Sequence, residues 1–393
     1  MKAIELFAGA GGLGMGISRA GFKPQAIVEW DRWCCDTIRE NRGAGIGLVG
    51  DWPEPIEGDV RNVDFGPFEG HLDLVTGGPP CQPFSLGGKH GAHADSRDMW
   101  SEAVRAVREA KPRAFIFENV KGLTRQSFAT YLSYIVMQLT YPELMADDDE
   151  SWESHLCRLE MHHTGRRGPA GLEYRVVYRV LNAANYGIPQ RRERVVFVGF
   201  RKDLGIEWAF PKETHSLDAL IWDQAKGEYW ERHEVRNRDR IIAHRHSQRL
   251  RQLRERPRES PWRTTRDAIG NLPDPELEPE KSRKYHNHRF QPGARSYYGH
   301  TGSPLDEPAK TLKAGVHGVP GGENMLLRAD RSVRYFTVRE SARLQTFPDE
   351  FRFHGSWTET MRQLGNAVPV ELANIVARDV KRHLLFGGSD FLK

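Results

Sequence analysis

Glu5-Leu-Phe-Ala-Gly-Ala-Gly-Gly-Leu-Gly-Met-Gly16 begins inside an apolar run that starts at Ala3 and leads into Leu13–Ala20, where the apolar spacing is helical. The stretch reads as a strand, a turn made almost wholly of glycine, and a helix. Glycines in such a turn let a ligand reach the backbone and the amides at the helix N-terminus. The next apolar run, Ala26–Trp30, carries Glu29 at its end, about 20 residues on, where a carboxylate can hold ribose hydroxyls. Trp30 can stack on a purine or fill a core. Asp59, in Gly58-Asp-Val60, can accept from an adenine amino group or close a turn. These residues alone suit a nicotinamide dinucleotide as well as S-adenosylmethionine.

Working outward, Ala3–Phe7, Ala26–Trp30, Leu72–Thr76 and Ala114–Glu118 read as strands. Leu13–Ala20, Trp33–Arg42 and Met99–Ala110 read as the helices between them, and Leu123–Leu139 continues with helical spacing. This βαβα order predicts an α/β fold: a Rossmann-like parallel sheet with helices on both faces. Tyr174–Asn182 and Arg194–Phe200 add two strands, and the polar residues 141–171 between helix and strand read as an irregular surface insertion. From 206 to 330 the alternation stops and Arg, Pro, Gly and His dominate, which predicts a smaller loop-rich domain. Helical spacing returns at Val338–Leu344 and Val370–Leu384. The expected division is 1–205 completed by 360–393, with 206–359 as the second domain and hinge, its variable part about 206–330.

The chain has 393 residues, 38% hydrophobic and 28% charged, with no apolar run long enough for a bilayer. A strand pattern begins at once, leaving no room for a signal peptide. Four cysteines in such a length are no disulfide framework and point to a reducing compartment. The net charge of +4 does not by itself indicate nucleic acid. Arginine is nevertheless dense from Trp230 to Arg266, a stretch able to neutralise phosphates.

One thiol stands apart. Gly77-Gly-Pro-Pro-Cys-Gln-Pro83 follows the strand His71–Thr76 and fixes Cys81 on a rigid loop at a strand's C-terminal end, where open α/β sheets place their chemistry. Glu118 ends another buried strand, where desolvation can keep a carboxyl protonated. Arg192 and Arg194 alternate with Arg191 and Glu193, so the two are expected on one strand face. Residues 83–98 are glycine-rich and polar and read as a lid. His155, Cys157, His162 and His163 fit no common zinc spacing, and no metal is assigned.

The ordered set of motifs resembles the C5-cytosine DNA methyltransferase family. Glu5-Leu-Phe-Ala-Gly-Ala-Gly-Gly12 looks like its cofactor loop, with Glu5 where Asp is more usual, and Val28-Glu-Trp-Asp31 and Gly58-Asp-Val60 look like the next two cofactor motifs. Pro79-Pro-Cys-Gln82 looks like the nucleophile motif, Glu118-Asn-Val120 the glutamate motif, and Gln190-Arg-Arg-Glu-Arg194 the arginine motif. Arg266–Pro273 and Tyr285-His-Asn-His288 look like the lead-in to the variable region, and Tyr335–Gln345 and Gln363–Val368 like the segments after it.

The resemblance implies a site-specific DNA (cytosine-5-)-methyltransferase that flips cytosine from duplex DNA, probing one face of the ring with a thiolate. Cys81, Glu118, Arg192 and Arg194 are the implied catalytic set. S-adenosyl-L-methionine, leaving as S-adenosyl-L-homocysteine, is the implied cofactor, held by Phe7, Ala8, Gly9, Gly11, Gly12, Glu29, Trp30, Asp59, Val60, Pro79, Met99, Asn366 and Ala367. Double-stranded DNA is the implied partner, met by Gln82, Ser85, Arg97, Arg289, Arg295, Tyr297 and Lys313. The remaining expectations are a cytoplasmic, nucleoid-associated monomer paired with a restriction endonuclease. Two alternatives stay open: an inactive DNA-binding regulator on the same scaffold, and a transfer-RNA cytosine methyltransferase.

Overall fold

The computed structural model of the chain describes residues 1–80, 99–165, 171–298, 300–315 and 324–387; Cys81, Gln82, Ser85 and Arg97 lie outside them. The first unit is built on seven strands: β1 (Lys2–Leu6), β2 (Lys23–Glu29), β3 (Ile56–Glu57), β4 (Leu74–Gly77), β5 (Ala114–Val120), β6 (Tyr174–Asn182) and β7 (Glu193–Arg201). They lie in the order β3-β2-β1-β4-β5-β7-β6. All pairings from β3 to β5 are parallel, and β7 alone runs against both its neighbours. That reversal brings the start of β7 to the edge where β1, β4 and β5 end, with Arg194 opposite Val120.

A strand covered on both faces is expected to be apolar on both, and β1 is so except at Glu5: Ile4 and Leu6 belong to one core cluster and Ala3 to another. The first cluster is closed by α3 (Trp100–Ala110), α4 (Ala129–Thr140) and α5 (Trp152–Gly165). The second is closed by α1 (Gly12–Arg19) and the helix Val370–Phe386. The expectation that the last helix returns to the first unit holds closely: a methyl group on Gly16 of α1 would lie 2.3 Å from Ala373 Cβ. α2 (Arg32–Gly43) follows β2 and is capped by the Asp31 carboxylate, which accepts from Cys34 N.

Two local expectations fail. Residues 141–171 are not irregular: α5 buries His155, Leu156 and Leu159. Trp152, Leu156 and Leu159 form an i, i+4, i+7 stripe that the surrounding acids and histidines dilute. His155 Nε2–H donates to Leu144 O at 2.8 Å, which leaves Nδ1 to accept from the Tyr134 hydroxyl at 2.9 Å. The helical spacing from Leu123 is also interrupted, by 3-10 turns at Lys121–Thr124 and Gln126–Phe128 before α4 begins.

Beyond Phe200 the elements are short. The helix Leu217–Lys226, a two-stranded pair (His215–Ser216 with Ser260–Pro261) and a three-stranded sheet (Ser303–Pro304, Met325–Leu327, Val333–Tyr335) surround two small apolar clusters. Among the described residues no helix is long and apolar enough to cross a membrane.

Candidate active site

The glycine turn is held open from below. Phe7, Gly9 and Gly11 have φ of 55°, 56° and 83°, a left-handed path that costs a non-glycine such as Phe7 strain. Space over Gly9 is clear: nothing lies within 4 Å of where a Cβ would stand. Ala8 and Gly12 are buried. A methyl on Gly12 would sit 2.5 Å from Val368 O and 3.4 Å from Ala367 Cβ, so Gln363–Val368 lies directly against this turn. Asn366 is exposed at that helix end.

Glu29 serves as a backbone clasp. Its Oε2 accepts from Gly9 N at 2.7 Å, and Oε1 accepts from Trp30 N and Asp31 N at 2.9 and 2.8 Å. Three amides leave room for about one more donor on a carboxylate with about four acceptor positions. Burial pushes its pKa up against these bonds. Trp30 is 73% exposed, which removes the core reading of that ring. Asp59 caps a 3-10 turn and is paired with Arg61, which holds its pKa down, while Val60 is buried behind it. Beneath the turn lies Glu5, wholly buried, whose Oε1 accepts from Gly14 N at 2.9 Å while Oε2 has no partner. Burial, reinforced by Glu29, pushes it up to about 8.

Across the strand edge, β4 delivers Gly77–Pro80 and β5 delivers Glu118 and Asn119. The Asn119 amide donates to Pro79 O at 2.8 Å and its oxygen accepts from Val120 N. Met99 N donates to Pro80 O at 3.2 Å, so the chain leaves for Cys81 and returns at Met99 from the same point. Glu118 Oε2 faces this segment, 3.5 Å from a Cβ built on Gly78. Glu118 Oε1 stands 2.7 Å from Arg194 Nε, off the N–H axis and thus an ion pair rather than a hydrogen bond. Burial outweighs Arg194 and Arg192 and raises the Glu118 carboxyl above its usual range.

The arginine pair divides. Arg192 is fully buried, donating from Nη1 to Leu312 O at 3.0 Å and from Nη2 to Gly365 O at 2.7 Å. Both terminal nitrogens are therefore committed to main-chain carbonyls. Burial lowers its pKa, but a guanidinium stays charged and takes the carbonyl dipoles as its solvation. Arg194 alone stands at Glu118. Gln190, passed over in the sequence, is fully buried and binds Leu312 N through its oxygen. Arg191 N bonds Ala309 O, and Ala309 N bonds Pro189 O. Besides the likeness to the arginine motif, the signal for this seam is five consecutive polar residues, Gln190-Arg-Arg-Glu-Arg194, between apolar runs.

Of the residues expected at DNA, Arg289 and Arg295 are exposed and form no ion pair among the described residues. Tyr297 is exposed and lies over His300, with ring centroids 4.3 Å apart. Lys313 is exposed, its main chain gripped on both sides by the buried Asn324.

Comparison with known proteins adds independent findings. The profile of the family described as C-5 cytosine-specific DNA methylase matches residues 1–141 and 170–382. The Type II methyltransferase M.PspPI of a Psychrobacter species is 32% identical over 389 residues, covering 97% of this chain and 79% of its own. M.Eco47II of Escherichia coli, also a Type II methyltransferase, is 32% identical over 390 residues with the same coverage. A DNA modification methyltransferase from an E. coli prophage superposes with a TM-score of 0.58 at 19% identity, covering 98% of this chain and 100% of its own. The S. pombe Dnmt2 methyltransferase gives 0.57 at 17% identity, with 98% and 99% covered; at such identities these two speak for the fold alone. With the profile spanning most of the chain and its relatives alike almost end to end, the chain belongs to the C-5 cytosine-specific DNA methylase family and is a DNA cytosine-5 methyltransferase.

Proposed function

We propose that Cys81 is the nucleophile of a reaction on a cytosine flipped out of duplex DNA at one short specific sequence. The Cys81 thiolate adds to carbon 6, turning the ring into an enamine nucleophilic at carbon 5. S-adenosylmethionine supplies the electrophilic methyl group. Loss of the carbon 5 proton then breaks the carbon 6–sulfur bond and returns the thiolate. Glu118, kept toward its protonated form by burial, donates to nitrogen 3 as negative charge develops there. Arg194 lies beside it to meet the ring's carbonyl oxygen. Arg192 is a positioning residue, since each of its terminal nitrogens is bonded to a main-chain carbonyl, of Leu312 and Gly365.

The cofactor reading is supported by the clear space over Gly9, the exposed Trp30 ring and the spare acceptor capacity of Glu29. In it, Glu29 takes the ribose hydroxyls, Trp30 stacks on the adenine, and Phe7–Gly12, Asp59, Val60, Pro79, Met99, Asn366 and Ala367 complete the walls. Residues 1–205 with 360–393 form the catalytic domain. Residues 206–359 carry recognition, with Arg289, Arg295, Tyr297 and Lys313 facing DNA together with Gln82, Ser85 and Arg97. In this reading the protein protects DNA against a paired restriction endonuclease, which its likeness to Type II methyltransferases supports, and it works as a monomer in the cytoplasm.

One observation carries this reading: a buried, raised-pKa carboxyl paired with an arginine beside the segment that leads into Cys81. The test is a duplex carrying 5-fluorocytosine at the target. Fluorine cannot leave as a proton does, so the enzyme is expected to remain bound covalently through residue 81, and Cys81→Ala to form no adduct. Turnover without an adduct at residue 81 would end the proposal.

A further inference from the structure

The arginines between Trp230 and Arg266 separate into two sets that their sequence does not distinguish. Arg232, Arg240, Arg245, Arg249 and Arg266 each face a carboxylate, of Asp223, Glu231, Glu307, Asp218 and Asp306 respectively, and Arg236 and Arg238 share Asp239. They hold the second unit together. Arg251, Arg254, Arg256, Arg258 and Arg263 are all exposed, and none makes an ion pair or a hydrogen bond through its side chain among the described residues. Two glutamates, Glu255 and Glu259, share the stretch and are likewise exposed and unpaired, leaving it a net charge of +3. Five guanidinium groups within thirteen residues, beside a set that is paired, form a cationic strip with no partner among the described residues.

The strip is fixed relative to the active site. Ser260–Pro261 pairs with His215–Ser216, and the Trp262 indole donates to Asn185 Oδ1 at 3.0 Å. Asn185 also binds Thr214 N through its carbonyl. It lies in the turn Ala183–Tyr186 joining β6 to β7, on the sheet edge that carries Arg194. From β4, which leads to Cys81, to β6 are three strand intervals, or about 14 Å. A strand of duplex places a phosphate about every 3.4 Å, so the sheet edge to which the strip is tied stands on the order of four base pairs from the thiol's strand, which sets the strip beside flanking duplex rather than the target base.

We infer that Arg251, Arg254, Arg256, Arg258 and Arg263 form a sequence-independent clamp on the phosphates of duplex DNA flanking the target base. The inference rests on the DNA methyltransferase reading and adds to it a surface that contributes affinity without specificity.

The test compares wild type with the quadruple variant R251Q/R254Q/R256Q/R258Q and with the matching quadruple lysine variant, which keeps the charge and controls for folding. Binding to cognate and scrambled duplexes is measured across salt concentration, with methyl transfer at saturating DNA as a second readout. Each lost phosphate contact removes about 0.9 from the slope of log affinity on log salt, so the glutamine variant loses about 3.6. Between 50 and 200 mM salt the wild type should therefore lose about 100-fold more affinity than that variant. Cognate and scrambled duplexes should weaken alike, the lysine variant should keep the wild-type slope, and transfer at saturating DNA should survive. A glutamine-variant slope within about 1 of wild type overturns the clamp, as does weakening confined to the cognate duplex or loss of transfer at saturation. If wild type itself transfers no methyl group to DNA, the failure belongs to the underlying reading instead.

Discussion

Glu5→Gln should make this protein more stable above neutral pH while leaving its shape unchanged. Glu5 is wholly buried under the glycine turn, one oxygen accepting from Gly14 N and the other without a partner, and burial lifts its pKa to about 8 from an ordinary 4.5. The folded chain thus keeps a proton that the unfolded chain releases. Stability from this group is fully present below about pH 4.5 and is lost as pH rises through the folded value near 8. A tenfold change in proton affinity is worth about 1.4 kcal/mol, so the whole difference is about 5 kcal/mol, of which about 4 falls between pH 5 and 9. Glutamine keeps the acceptor for Gly14 N and puts an uncharged amide where the second oxygen stood, so it feels none of this loss.

The assay is urea unfolding of both proteins at several pH values from 5 to 9, taking the difference between them so that groups common to both cancel. The variant should gain on wild type by a few kcal/mol across that range. A difference that stays flat to within about 1 kcal/mol would refute the reasoning. So would a Glu5 carboxyl resonance, identified by its absence from the variant, that titrates near 4.5.

Glu118→Gln removes both the proton donor and the partner of Arg194, and should lower kcat by about 10²- to 10⁴-fold in a methyl-transfer assay. Because burial raises the Glu118 pKa, wild-type kcat should decline as pH rises through that value, and the variant's profile should lack that limb. Arg192→Met leaves Leu312 O and Gly365 O without donors. At about 1–3 kcal/mol for each orphaned group it should cost roughly 2–6 kcal/mol in thermal or urea unfolding. It should also raise KM for DNA more than it lowers kcat, a split that a catalytic role would reverse. Gly12→Ala pushes a methyl to 2.5 Å from Val368 O, backbone that cannot step aside, and should destabilise by about 1–3 kcal/mol in the same unfolding assay.

Much of this was legible because the signals are local. The glycine turn, the strands around Glu29 and Glu118, and the strand runs Tyr174–Asn182 and Arg194–Phe200 follow from apolar spacing and turn chemistry over a few residues, whereas the reversal of β7 leaves no such local mark. α5 was missed because Trp152, Leu156 and Leu159 are separated by residues whose polarity describes only the helix's outer side. The task of Arg192 was missed for another reason. Strand alternation gives the face on which a side chain begins, but its partners, Leu312 and Gly365, lie 120 and 173 residues away. The paired and free arginines after Trp230 look alike in sequence, since pairing depends on carboxylates such as Asp306 and Glu307 brought in from beyond the stretch.

These long-range bonds give the arginine motif its logic. The chain leaves the first unit at Arg201 and returns through the helix Val338–Leu344, so the second unit needs fastening other than its own linkers. Gln190, Arg191 and Arg192 provide it, by bonds to Ala309, Leu312 and Gly365. Gly365 must be glycine for this, because a Cβ there would lie 2.2 Å from Ala314 N. Two residues beyond Arg192, Arg194 reaches Glu118 on the neighbouring strand. One buried guanidinium thus links residue 312 to the start of β7, whose Arg194 stands at the carboxyl beside the Pro79–Pro80 segment. Arg192 is accordingly buried and charged with both terminal nitrogens bonded across the seam and Nε left without a partner among the described residues, where a simple core residue would have been less costly.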